Sequence, residues 1–110
     1  MANLMKDGEE FPMMKVTTVD VYPFKNDSSF VKEKHILGLA KITLNDQFLV
    51  RDLRIMDGVN GLYVAYPHRS NDFLSETDTE YMAVAHPFNR RLREEIEDVV
   101  LEEYQRQKGK

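Results

Sequence analysis

The residues able to carry out catalysis are few and scattered along the chain. The three histidines, His35, His68 and His86, stand in no metal-ligating spacing, and no cysteine is present to supply a thiolate. Ser70 lies near His68, but the nucleophile motif G-x-S-x-G and a glycine-rich phosphate loop are both absent from the sequence. Because no acid, base and nucleophile converge, we expect no active site, no cofactor and no small-molecule substrate.

The arginines of the last predicted helix are the group whose placement suggests a function. Arg90, Arg91 and Arg93 fall in the first turn, and the acidic residues come later: Glu94, Glu95, Glu97, Asp98, Glu102 and Glu103. A helix N-terminus carries about half a positive charge, so each cation there costs about 0.3–1 kcal/mol. Two interpretations are open. The arginines bind phosphate together with free backbone N–H groups, or they form a surface network of i,i+4 ion pairs.

The composition of the chain limits phosphate binding to a local patch of basic residues. The chain has 110 residues, enough for one domain, and its net charge is −4. That charge argues against a protein that coats nucleic acid by bulk positive charge. Arg69, which follows a predicted strand, is a further candidate for the patch. The candidate nucleic-acid-binding residues are therefore Arg69, Arg90, Arg91 and Arg93.

Sequence signals also bear on the compartment. No apolar run approaches the roughly 18–20 residues that span a bilayer. The N-terminal residues lack the basic-then-apolar order of a signal peptide, and the absence of cysteine suits a reducing environment. We therefore expect a cytoplasmic protein without a membrane partner.

The elements that must position the arginines form an antiparallel sheet followed by one helix. Segments rich in β-branched, aromatic or alternating apolar residues predict about five strands: 16–22, 36–44, 48–55, 62–66 and 81–85. A phase change at Arg51-Asp52 indicates a bulge, and Asp57-Gly58 with Asn60-Gly61 predicts a hairpin. Three polar stretches are predicted to be a poorly ordered leader and two loops: 1–13, 25–34 and 68–80.

The last segment predicts a long C-terminal helix over 90–106, with Asn89 as its N-cap. Leu92, Ile96, Val99 and Val100 form its apolar stripe, with Leu101 on the opposite side and Tyr104 near the edge. This arc is wide enough to contact both the sheet and a second subunit, although a stray surface leucine is the alternative for Leu101. The predicted class is α+β, and we expect a dimer because the core is small and strand edges need cover.

Several blocks follow the order and spacing of one known family: 14–17 (MKVT), 48–55 (FLVRDLRI), 60–67 (NGLYVAYP), 85–89 (AHPFN) and 100–104 (VLEEY). In these blocks the chain resembles the SpoVG family, bacterial stage V sporulation protein G or septation regulator proteins, from Met14 to about Arg106. The resemblance predicts an N-terminal extension at 1–13, a SpoVG-like domain at 14–107 and a disordered tail at 108–110.

What the resemblance implies is a dimeric regulator that binds DNA, and in some members RNA, and influences septation, sporulation or gene expression. It places the nucleic-acid contacts at Arg69 and at the three helix arginines. The chain departs from the family in the extension at 1–13, in a longer connection at 24–35, and after Pro67. There His68-Arg69-Ser70 replaces the family's Ser-Arg-Lys, and the loop that follows is acidic. These departures put more weight on the helix arginines.

A second interpretation is a protein-interaction module of the division or sporulation machinery that does not contact nucleic acid directly. The acidic balance supports it, because a protein that reads nucleic acid sequence normally carries more local positive charge.

Overall fold

The computed structural model describes residues 12–68 and 84–109. Several predicted features lie outside the described residues: most of the leader, Arg69, the loop up to residue 80 and the first three residues of the fifth predicted strand.

The described chain forms one antiparallel sheet and two helices, in the order β1 (Val16–Pro23), α1 (Ser29–Lys34), β2 (Ile36–Leu44), β3 (Phe48–Gly58), β4 (Gly61–Ala65) and α2 (Arg90–Lys108). Each strand pairs with the next, so the spatial order is β1-β2-β3-β4. The predicted α+β class, the first four strands and the C-terminal helix are confirmed. Val84 and Ala85 lie outside any strand, although the Val84 N–H donates to the Pro67 carbonyl at 2.7 Å.

Residues that tolerate positive φ make the turns and the bulge. Asn45 and Asp46 have φ of 52° and 55° and connect β2 to β3 as a tight turn. Between the pairs Ala40↔Leu53 and Ile42↔Val50, strand β3 has one more residue than β2. Asp52, with φ of 66°, lies in this interval. The bulge predicted at Arg51-Asp52 is therefore confirmed.

The core lies between one face of the sheet and helix α2. Leu53 and Ile55 of β3 are fully buried there, and Leu92, Ile96, Val100 and Tyr104 are the buried residues of α2. Leu92, Ile96 and Val100 of the predicted apolar stripe are therefore confirmed as core residues. Tyr104, predicted near the edge of the stripe, is also buried in the core. Leu101 is half-buried against the core, so its predicted place on the opposite side of the helix was wrong.

The segment predicted as a loop at 25–34 contains helix α1, and that prediction was wrong. The Ser28 hydroxyl accepts from the Val31 N–H at 3.3 Å, and His35 ends the helix with φ of 59°. Phe30 stacks on Phe24 with ring centroids 4.9 Å apart. Six residues are too few for the sequence to show a helical period, and the helix forms through its caps and this stacking.

A side-chain clamp fastens α2 to the start of β1. Glu95 accepts from the Val16 N–H through Oε2 at 2.6 Å and from Arg91 Nη1 through Oε1 at 2.9 Å. The other guanidinium nitrogen of Arg91 donates to the Met14 carbonyl at 2.6 Å. The clamp therefore satisfies backbone groups at an edge strand and fixes the orientation of the helix start.

Neither helix in the described part of the chain is both long and apolar enough to cross a membrane.

We expect Leu53→Ala to lower the free energy of unfolding by about 2–5 kcal/mol, because it leaves a cavity under α2. Leu49→Ala is the matched control in the same strand, since Leu49 is 48% exposed. Urea denaturation measures both. Equal losses for the two variants would contradict the assigned core.

We expect Glu95→Ala to lower the free energy of unfolding by about 1–3 kcal/mol, because it removes two charge-assisted hydrogen bonds of the clamp. Glu94→Ala is the control, since within the described residues Glu94 pairs with the exposed Arg90 alone, and we expect a change within about 0.5 kcal/mol. Urea denaturation of a Glu95→Ala protein that unfolds like the wild type would show that the clamp contributes nothing.

Alkaline pH should destabilise the fold through Tyr104. Burial, and secondarily the Asp57 carboxylate, raise the pKa of Tyr104 above its usual value of 10.0. As pH rises, the unfolded chain therefore loses this proton before the folded chain does. The contribution of Tyr104 to the free energy of unfolding is fully present below about pH 10 and is lost as pH rises above that value. Tyr104→Phe should show a shallower decline in urea denaturation across this range. An identical decline would contradict the assignment.

Candidate nucleic-acid interface

The start of helix α2 is built by a cap and a short lead-in segment. The Asn89 side chain accepts from the Leu92 N–H at 2.8 Å, which confirms the predicted N-cap. Pro87 before it is buried, whereas Phe88 is 96% exposed. The first turn contains no acidic residue, so the arginines are its charged side chains.

The structure gives each helix arginine a different environment. Arg90 is 91% exposed and pairs with Glu94, Nε to Oε1, at 3.0 Å. Arg91 is half-buried and lies in the clamp. Arg93 donates to the Pro87 carbonyl at 3.4 Å, and its guanidinium lies 5.4 Å from the centroid of the Tyr66 ring.

These contacts address the interpretation of the charges as an ion-pair network. Two of the three expected i,i+4 pairs form, those of Arg90 and Arg91. Within the described residues Arg93 makes no ion pair with Glu97 and instead contacts a carbonyl and an aromatic ring. The Arg90 pair is exposed on both sides, so its net contribution is about 0–1 kcal/mol and a phosphate could displace the carboxylate. The pairs therefore leave phosphate binding open at this end of the helix.

The candidate arginines are accordingly not equivalent. Arg90 and Arg93 present exposed cations beside one another on the first turn. Arg91 uses both its terminal nitrogens within the protein, and Arg69 lies outside the described residues. Any phosphate contact at the helix start would therefore depend first on Arg90 and Arg93.

Two contributions to this site were missed from the sequence. Glu95 joins α2 to Val16, which lies 79 positions away, and no spacing rule signals a contact of that range. Tyr66 was predicted only as the end of a strand, yet its ring lies under the Arg93 guanidinium. Such cation–π contacts depend on how the sheet and helix meet, which only the tertiary structure fixes.

Potential metal ligands do not cluster in the described part of the chain: no three His, Asp or Glu side chains there could jointly hold an ion. The ring Nδ1 of His86 is 3.1 Å from the Pro87 carbonyl, a contact that orients the lead-in segment.

The family model of SpoVG matches residues 14–106. A protein named for septation, SpoVG, from Macrococcus caseolyticus (strain JCSC5402) is 38% identical over 91 residues, which covers 83% of this chain and 70% of the relative. A protein of the same name from Bdellovibrio bacteriovorus is 36% identical over 94 residues, which covers 86% of this chain and 76% of the relative.

A relative from Listeria monocytogenes serotype 4b, named SpoVG 2, is 38% identical over 93 residues and covers 84% of this chain and 80% of its own length. These names refer to septation and to no enzymatic reaction. The match spans the sheet and nearly all of α2. The chain therefore belongs to the SpoVG family.

Proposed function

We propose that this protein is a bacterial regulator that binds DNA as a dimer, with RNA as a further candidate ligand, and thereby influences septation, sporulation or gene expression. Family membership supports the link to septation through the names of the relatives. We further propose that it acts by binding rather than by catalysis, in the cytoplasm.

The observation that carries this proposal is the pair of exposed cations on the first turn of α2. Arg90 and Arg93 stand where backbone N–H groups already create a positive potential, and the first turn itself contains no acid, although Glu94 just after it pairs with Arg90. Such a start favours an anion, and phosphates are the anions that arginine binds in nucleic acids. Arg69 is included in the proposed interface from the family resemblance.

The test uses the double variant Arg90→Gln/Arg93→Gln, which leaves the clamp residue Arg91 in place. Duplex fragments selected by the wild type from a bacterial genomic library serve as the ligand. We expect weaker binding of the variant, and a slope of log affinity against log salt that is shallower by up to about 2, because each lost phosphate contact removes about 0.9. Fluorescence anisotropy at several salt concentrations measures both.

Arg106→Gln is the matched control at the other end of the same helix, where Arg106 pairs with Glu103 at 2.5 Å. We expect its affinity and salt slope to equal those of the wild type. Arg69→Gln, measured separately, tests the loop. If the double variant and the wild type have the same slope, the helix start does not contact phosphate and this part of the proposal fails.

A second candidate function is a protein-interaction module of the septation machinery. A groove of about 360 Å³ lies between α2 and the sheet, with Phe48 and Phe88 on its rim. Phe88 is almost fully exposed and Phe48 is 61% exposed, which is unusual for large apolar residues that share one groove. If Phe88→Asp impairs septation in cells while the affinity of the variant for nucleic acid stays unchanged, this function is favoured.

A further inference from the structure

The face of the sheet that turns away from α2, which we call the open face, carries a second set of chemically active side chains. Tyr22 pairs with Leu39, Leu39 with Arg54, and Arg54 with Ala65, so these four residues form one row across all four strands. Paired residues share a face of a sheet, and the next residue along each strand points to the other face. Their neighbours, among them Ala40 and Ile55, are core residues under α2, so this row faces outward.

Two neighbouring hollows lie on the open face. A hollow of about 360 Å³ lies between α1 and the sheet, and one of about 190 Å³ lies beside Tyr22. Leu39 and Asp52 line both, so the two hollows adjoin, and we refer to them together as the groove. The bulge contributes to this shape, because its extra residue lets Arg51 and Asp52 line the same hollow.

The groove concentrates positive charge on an acidic protein. Its lining includes four basic side chains, Lys34, Lys41, Arg51 and Arg54, and among the described residues the only acid that lines it is Asp52. Asp20, opposite Lys41 in the register, is a further acid on this face. Among the described residues the ion pairs all lie on α2, and none of them involves these four cations. Within that part of the chain they are therefore available to an anionic ligand, unlike Arg91.

Two exposed aromatic rings lie beside two of these cations. Tyr22 is 51% exposed and Phe30 is 45% exposed. Lys41 Nζ lies 5.8 Å from the Tyr22 ring centroid, and Lys34 Nζ lies 5.9 Å from that of Phe30. Rings beside cations suit a ligand that repeats a flat base and a phosphate, since bases stack on the rings and phosphates meet the cations.

We propose that this groove binds single-stranded RNA, with bases stacked on Tyr22 and Phe30 and phosphates held by Lys34, Lys41, Arg51 and Arg54. A duplex does not fit this chemistry, because its bases are already stacked on each other and cannot reach the rings. The Asp52 carboxylate repels phosphate but accepts a hydrogen bond from a ribose 2′-hydroxyl, a donor that DNA lacks. The site is separate from the start of α2 and does not depend on the arginines there.

The test compares Tyr22→Ala with Tyr22→Phe, which keeps the stacking surface. The probe is a labelled oligouridylate of about ten nucleotides, within the usual range of single-strand sites. We expect Tyr22→Ala to weaken binding about fivefold or more, the effect of losing one stacked base, and Tyr22→Phe to bind as the wild type does. Phe88→Ala is the control for an exposed aromatic ring elsewhere, and we expect it to bind as the wild type does. Fluorescence anisotropy gives all four affinities.

Charge and ligand type are tested with the same probe. Lys41→Gln/Arg51→Gln should reduce the salt slope by up to about 1.4, because each single-strand phosphate contact contributes about 0.7. The oligodeoxyuridylate should bind more weakly than the RNA. Arg90→Gln/Arg93→Gln should lower the affinity for duplex DNA and leave the affinity for oligouridylate unchanged. The proposals for the two sites can therefore be contradicted independently of each other.

Three results would overturn the proposal. If Tyr22→Ala and the wild type bind the probe with equal affinity, no base stacks on Tyr22. If the RNA and the DNA oligomer bind with equal affinity, the site is not specific for RNA. A change of mass from dimer to monomer in Tyr22→Ala, measured by light scattering, would show that a second copy of the chain covers the open face.

Discussion

The packing of α2 against one face of the sheet is the constraint on which the rest of the molecule depends. It buries Leu53, Ile55 and Val100 completely, and no other described helix covers that face. A single four-stranded sheet cannot enclose a core alone, so without this contact neither face would have a fixed role. With it, one face becomes core and the other stays accessible.

The clamp between Glu95 and β1 refines that packing into a defined geometry. Apolar contacts alone tolerate small shifts of a helix along a sheet, whereas the hydrogen bonds that join Glu95 to Val16 and Arg91 to Met14 do not. The clamp also explains part of the inverted charge order of α2. Arg91 stands at the helix start because its guanidinium reaches the Met14 carbonyl, so the unfavourable interaction with the helix dipole is offset within the fold. Among the described residues Arg90 has no comparable contact outside its helix, whereas Arg93 contacts the Pro87 carbonyl and the Tyr66 ring.

Much of this fold was predictable because its signals are local. Alternation identified β2, Asp57-Gly58 with Asn60-Gly61 identified the hairpin between β3 and β4, and Asn89 identified the start of α2. Helix α1 was not predictable, since six residues show no period. The bulge at Asp52 could be predicted from a change of phase, but the sequence did not show that the bulge lets Arg51 and Asp52 line the same hollow. That Arg51, Arg54 and Lys41 meet two aromatic rings follows from strand register, which sequence spacing alone does not determine.

Nucleic acid is proposed to bind two surfaces of one small domain, and the most direct measurement is a residue-level map of where it binds. Backbone amide chemical shifts of the ¹⁵N-labelled protein, recorded by NMR during titration with selected duplex DNA and with oligouridylate, would provide this map. We expect duplex DNA to shift the amides at the start of α2 and oligouridylate to shift those around Tyr22, Lys41 and Arg51. Titrations that leave both regions unchanged would contradict the proposed binding surfaces.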